Sequence, residues 1–118
     1  MYINHLLVVA TEPKSVFLEI FFKYIKSKDS KKLNKKITII GNEKNIENEA
    51  RLYRYNAKFN KINNIEKAKK NKINLINIKI YQINKKNNIN RYILDCFNKS
   101  LSILKKNKNI ALINGPIE

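Results

Sequence analysis

Val8-Val9-Ala10-Thr11-Glu12-Pro13-Lys14-Ser15-Val16-Phe17-Leu18-Glu19 passes from an apolar strand through a turn into an apolar helix, and this passage sets the fold class. Upstream, the run from Ile3 to Ala10 is short and rich in Leu and Val, the pattern of a strand buried on both faces. Pro13 ends it, and Ser15 can cap a helix that begins at Val16. In that helix Phe17, Ile20, Phe21 and Tyr24 fall at core spacing. Val16, Leu18 and Phe22 occupy its other sides, with Glu19 the lone polar residue across two turns. A helix apolar nearly all round is normally buried all round. A partner subunit or further sequence is therefore expected to cover it.

Outward from this passage the same alternation repeats. Lys36-Ile37-Thr38-Ile39-Ile40 is a β-branched strand closed by Gly41, and Asn42 can cap a helix running to about Tyr55. The stretch 56–72 has weak periodicity and reads as a loop with a helical turn. Leu75-Ile76-Asn77-Ile78-Lys79-Ile80 is a partly alternating strand. Ile89, Ile93, Phe97, Leu101 and Leu104 then mark the apolar face of a long helix, and Ile110 to Ile113 is a last strand. The predicted order is β-α-β-α-β-α-β in one α/β domain over 1–118, with a mainly parallel sheet and right-handed crossovers. In such folds ligands bind at the carboxyl edge of the sheet.

The net charge of +16 invites a nucleic-acid reading, but its source tempers that. Lys, Asn and Ile number 22, 20 and 20 of the 118 residues, a bias that A/T-rich codons produce together. Only Arg51, Arg54 and Arg91 accompany the lysines, although Arg is the better residue for bidentate phosphate and base contacts. Residues 1–22 carry −1, whereas 23–36 carry +6 and 61–86 carry +7, in stretches that read as helix ends and connections. These runs are read as solvated faces. The single cysteine, Cys96, excludes an internal disulfide and reads as a small buried hydrophobe, in keeping with a reducing cytoplasm. The single histidine, His5, reads as a strand residue, and one His with one Cys cannot make a zinc site. No stretch reaches the roughly 20 apolar residues of a membrane span. The N-terminus lacks the basic region of a signal peptide. No GxGxxG or Walker loop follows any strand.

Two segments carry a resemblance. Thr11-Glu12-Pro13-Lys14-Ser15-Val16-Phe17-Leu18-Glu19 follows the first strand, and Ala111-Leu112-Ile113-Asn114-Gly115-Pro116-Ile117 forms the last. Together they resemble the 4-hydroxythreonine-4-phosphate dehydrogenase family of pyridoxine biosynthesis. That family opens with Gly-[Asp/Glu]-Pro-x-Gly-Ile-Gly-Pro-Glu after a strand. About a hundred residues on it has Ala-Leu-[Val/Ile]-Thr-[Ala/Gly]-Pro-[Ile/Val]. Thr11, Ser15 and Phe17 replace glycines of the first motif, Leu18 replaces its proline, and Asn114 stands where the second has Thr. Glu12, Pro13 and Glu19 survive.

The resemblance implies the N-terminal portion of an isocitrate/isopropylmalate dehydrogenase-like fold, a fragment of a full-length homodimer. It implies an NAD- or NADP-dependent oxidation of 4-hydroxy-L-threonine phosphate, followed by loss of CO2, with a divalent metal as Lewis acid. The family's metal-binding histidines lie beyond the second motif, so neither metal ligands nor catalytic residues are expected in this chain, and by itself it is expected to be inactive. Glu12 and Asn114 are the candidates for the loops that edge the substrate, with Pro13 and Gly115-Pro116 shaping them. Glu12 can equally cap the following helix, and Glu19, if buried, needs a partner.

Two other readings compete. A small basic module could bind nucleic acid through lysine, with Tyr53, Tyr55 and Phe59 near Arg51, Arg54 and Lys58 as stacking aromatics. It lacks an RNP or helix-turn-helix signature, so nucleic acid is not the expected partner. The chain could also be a truncated relic without catalysis. The expected partner is a phosphorylated small molecule, with no membrane and a cytoplasmic location.

Overall fold

The computed structural model of the protein describes residues 2–10, 16–27, 33–80 and 86–114, of which 86–89 are described by backbone alone. Five strands form one parallel sheet: β1 (His5–Ala10), β2 (Lys36–Gly41), β3 (Asn60–Ile62), β4 (Ile73–Asn77) and β5 (Ile110–Asn114). Among the described residues helices α1 (Val16–Lys26), α2 (Glu43–Leu52) and α3 (Lys86–Lys106) accompany them, with a 3₁₀ turn at Ile65–Lys67. The sheet order is β3-β4-β2-β1-β5.

That order explains the layers. From β1 to β2 the chain steps one way along the sheet, and from β4 to β5 it steps back past β2 and β1. Right-handed crossovers in opposite directions place their helices on opposite faces. Accordingly, α1 and α2 pack through Leu18, Phe22, Ile46 and Ala50 on Val8, Ile37, Ile39 and Leu75. On the other face α3 packs through Tyr92, Cys96 and Ile103 on Leu7, Val9, Ile40 and Ile76. Adjacent strand residues alternate between the two cores, as the period of two requires. Leu18 and Phe22 are fully buried, each worth about 1.5–3 kcal/mol in removed apolar surface.

The parallel α/β architecture is as expected, and the departures from the expected elements are local. The stretch 56–72, read as loop, holds β3 as well as the expected turn. Three residues with Lys61 exposed at the sheet edge carry no strand periodicity. Strand β4 begins at Ile73 and ends at Asn77, so Ile78, Lys79 and Ile80 lie beyond it. Helix α2 ends at Leu52, and Arg54 takes a left-handed φ of 59° as the chain turns back.

Two helical faces also differ from expectation. On α3 the buried seam is Tyr92, Cys96, Ser100 and Ile103, while Leu101 is 52% exposed. The small Cys96 and Ser100 side chains let that seam lie close on the sheet, and Ser100 Oγ donates to the Cys96 carbonyl at 2.7 Å. On α1 it is Leu18 and Phe22 that are buried, whereas Val16 (68%), Ile20 (60%) and Tyr24 are exposed. With Ile113 of the edge strand β5, Ile20 and Tyr24 border an apolar groove of about 190 Å³. Glu19 meets Lys23 at 3.1 Å one turn on, so it is not the buried acid; that acid is Glu49 of α2.

Candidate functional site

Because every strand is parallel, all five end at one edge, and there the chain turns toward its helices. The two segments that carry the family resemblance lie about a hundred residues apart in sequence, yet β1 and β5 are hydrogen-bonded neighbours, with Val9 opposite Asn114. Ala10 and Asn114, the last described residues of β1 and β5, therefore lie side by side at this edge. Asn114 is exposed at the end of β5. Glu12, Pro13, Gly115 and Pro116 lie outside the described residues.

Next to these exits the ends of β1, β2 and β4 are fastened by a polar network. Tyr92, reaching over from α3, accepts the Asn42 backbone N–H at 2.6 Å and donates to the Ala10 carbonyl at 3.1 Å. Its hydroxyl thus ties the end of β1 to the start of α2. Gly41 makes the closeness possible: a Cβ there would sit 2.8 Å from the Ala10 carbonyl oxygen and 2.9 Å from Ile46 Cδ1. Asn42 performs the expected capping, its Oδ1 accepting the Asn45 N–H at 3.2 Å, and its Nδ2 donates to the Ile78 carbonyl at 3.2 Å. Asn77, at the end of β4, accepts the Glu43 N–H at 2.9 Å, and the Ile78 N–H donates to the Gly41 carbonyl at 2.9 Å.

Among the described residues the amides Asn42, Asn77 and Asn114 stand at this edge, with Glu43 beside them. Burial, with Cys96 as the next cause, raises the Tyr92 phenol far above its ordinary range, so it stays protonated as a donor. Burial likewise pushes the Cys96 thiol up to about 12, which removes it as a nucleophile at neutral pH. Asn114 brings an exposed amide to this edge, beside the frame that Tyr92, Asn42 and Asn77 hold by hydrogen bonds. Toward β3, Lys61 is held between Glu43 and Glu47, the latter at 3.2 Å, next to a cleft of about 300 Å³ lined by Asn63, Asn77 and Lys67.

Sequence reasoning picked out Asn114 and Glu12 but missed Tyr92 and Asn77. Asn77 had a usable signal, an amide at a strand end. Tyr92 had none, because the apolar spacing of its helix pointed to the face of Ile93 and Phe97. The aromatics considered for base stacking are engaged otherwise: Tyr55 stacks on Phe22 at 5.5 Å between ring centroids, and Phe59 meets Phe22 edge-on at 6.3 Å.

His5 is buried at the opposite, amino-terminal edge, its Nε2 2.7 Å from Thr38 Oγ1. Among the described residues no group of three or more His, Cys, Asp or Glu is placed to hold a metal ion. No described helix is long and apolar enough to cross a membrane.

A solved structure of a 4-hydroxythreonine-4-phosphate dehydrogenase from Burkholderia phymatum is similar to the whole of this chain, with a TM-score of 0.79 at 13% sequence identity. The chain spans 38% of that protein's length. At this identity the likeness shows the fold, one that a dehydrogenase uses. No protein-family model and no curated protein matches the sequence.

Proposed function

We propose that this chain is the N-terminal part of an oxidoreductase of the 4-hydroxythreonine-4-phosphate dehydrogenase type, and that the carboxyl edge between β1 and β5 forms one wall of its substrate site. The observation that carries this reading is the pairing of β1 with β5, which sets Ala10, just before the first family-like segment, beside Asn114 of the second, at the edge where parallel α/β folds bind ligands. The fold likeness over the full chain supports it.

In this reading Asn114 hydrogen-bonds a polar group of 4-hydroxy-L-threonine phosphate, and Glu12 orients the first loop or contacts the substrate. Tyr92, Asn42 and Asn77 are positioning residues: they fasten the end of β1, where the first loop departs, to the ends of β2 and β4. NAD or NADP and a divalent metal belong to the reaction of the family, as does a homodimer. The described residues offer no donor set for the metal, so their own part is to bind and orient.

The test is calorimetric titration of the chain with 4-hydroxy-L-threonine phosphate. Replacing Asn114 with Ala removes one hydrogen bond to a charged ligand, about 1.5–3 kcal/mol, and weakens binding by at least roughly tenfold. Asn109→Ala, at the far edge of the sheet, leaves it unchanged. Equal affinities for both variants would refute the assignment of the edge.

A further inference from the structure

In a parallel α/β sheet the carboxyl ends of the helices and the amino ends of the strands converge on one edge, opposite the candidate substrate site. In this chain, lysines scattered through the sequence are gathered there. Lys36 opens β2, Lys72 precedes β4, Lys108 precedes β5, and Lys105 and Lys106 close α3. Lys36, Lys106 and Lys108 share a cleft of about 460 Å³ with Asn4, Asn107 and Asn109. The helix dipole accounts for cations in the last turn of α3, but not for Lys36, Lys72 or Lys108, which begin or precede strands.

Among the described residues no ion pair neutralises this charge. The described carboxylates that form ion pairs do so elsewhere: Glu19 with Lys23, Glu43 and Glu47 with Lys61, and Asp95 with Arg91. No described carboxylate lies within ion-pair distance of Lys36, Lys106 or Lys108, although Glu66 borders the same cleft. The positive field is felt by a neighbour: Lys36, after burial, helps to pull the pKa of His5 down to about 4.

We propose that this amino-terminal edge binds the phosphate backbone of single-stranded nucleic acid, with Lys36, Lys106 and Lys108 as its central contacts. Ammonium groups with no ion-pair partner among the described residues, flanked by amide donors, suit phosphate and sugar oxygens, and compact point charges suit backbone contacts more than base reading. Tyr2, 66% exposed at the same edge with the Lys35 ammonium 4.8 Å from its ring centroid, offers a face on which a base can stack. The apolar residues of the cleft, Ile65 and Ile110, are half-buried and do not project, which disfavours a membrane surface.

The experiment is fluorescence-anisotropy titration of a labelled oligo-dT 12-mer at several salt concentrations, for the unaltered chain and two charge-matched double variants. Lys106→Gln/Lys108→Gln is expected to weaken binding by roughly tenfold at ~50 mM salt and to lower the log–log salt slope by about 1.4. Lys44→Gln/Lys79→Gln, which makes the same change in net charge away from this edge, is expected to change affinity less than about twofold. Circular dichroism confirms that both variants fold. Three results overturn the proposal: no binding of the unaltered chain at ~50 mM salt, equal losses in the two variants, or preference for phosphatidylserine vesicles over the oligonucleotide. Because the readout lies at the edge opposite Asn114, its failure leaves the substrate-edge reading standing, and the reverse.

Discussion

Replacing Tyr92 with Phe keeps the buried ring and deletes one oxygen, so it isolates what that hydroxyl does. Two bonds go: the Asn42 N–H loses its acceptor at 2.6 Å, and the Ala10 carbonyl loses a donor at 3.1 Å. Ala10 is buried and Asn42 half-buried, so neither group is freely compensated by water. A polar group stranded in this way costs about 1–3 kcal/mol. Counting the buried carbonyl in full and the half-buried amide in part gives a loss of about 2–3 kcal/mol. In a domain of this size that corresponds to a fall in Tm of roughly 10 °C. Urea unfolding followed by far-UV circular dichroism measures it, with an unchanged m-value showing that only stability has moved. Hydrogen exchange at the Asn42 amide should also accelerate. A loss below about 0.5 kcal/mol, with Asn42 still protected, would show that Tyr92 does not fasten the strand ends and would remove it as a positioning residue.

Three further outcomes follow from the same structure. Gly41→Ala, whose Cβ would press on the Ala10 carbonyl and Ile46, should cost about 1–3 kcal/mol in thermal or urea unfolding despite a helix- and strand-compatible backbone. Asn74→Ala strands the Ile37 and Lys69 carbonyls, to which its Nδ2 donates at 2.8 and 3.0 Å, and the Lys69 N–H that its Oδ1 accepts at 2.8 Å; urea unfolding should show a loss of about 2–4 kcal/mol. His5 is pulled from 6.5 to about 4 by burial and then by Lys36, so the unfolded chain binds the extra proton first as pH falls; about 3 kcal/mol of stability present above pH 6.5 should vanish as pH drops through about 4, and His5→Asn should flatten that part of the stability–pH profile.

The elements that could be read from the sequence were those whose burial is uniform. Runs such as Leu7-Val8-Val9-Ala10 and Ile37-Thr38-Ile39-Ile40 are buried on both faces, so strand, parallel sheet and class followed together. β3 was hidden because three residues at an exposed edge need no apolar period; it is fixed by pairing with β4, a tertiary fact. The face of α3 was misjudged for a related reason. Tyr92 and Ser100 find polar partners within the core, which hydrophobic spacing cannot foresee. On α1, periodicity could not choose among nearly equivalent apolar faces, and the choice fell to the shape of the sheet and α2. At the candidate site, the place of Asn114 at the end of a strand could be read from the sequence, whereas the network that holds the edge depends on a residue of α3, a helix remote in sequence.

The central claim is that the carboxyl edge of this sheet, and not the lysine-rich amino edge, receives the substrate of the proposed reaction. The most direct measurement is a map of amide chemical shifts in the ¹⁵N-labelled chain during titration with 4-hydroxy-L-threonine phosphate, with inorganic phosphate as the reference ligand. The account predicts shifts specific to the substrate at Asn42, Ile78 and Asn114 and at the residues that follow Ala10 and Asn114 in sequence. Shifts confined to Asn4, Lys36 and Asn109, or a pattern that inorganic phosphate reproduces in full, would contradict it.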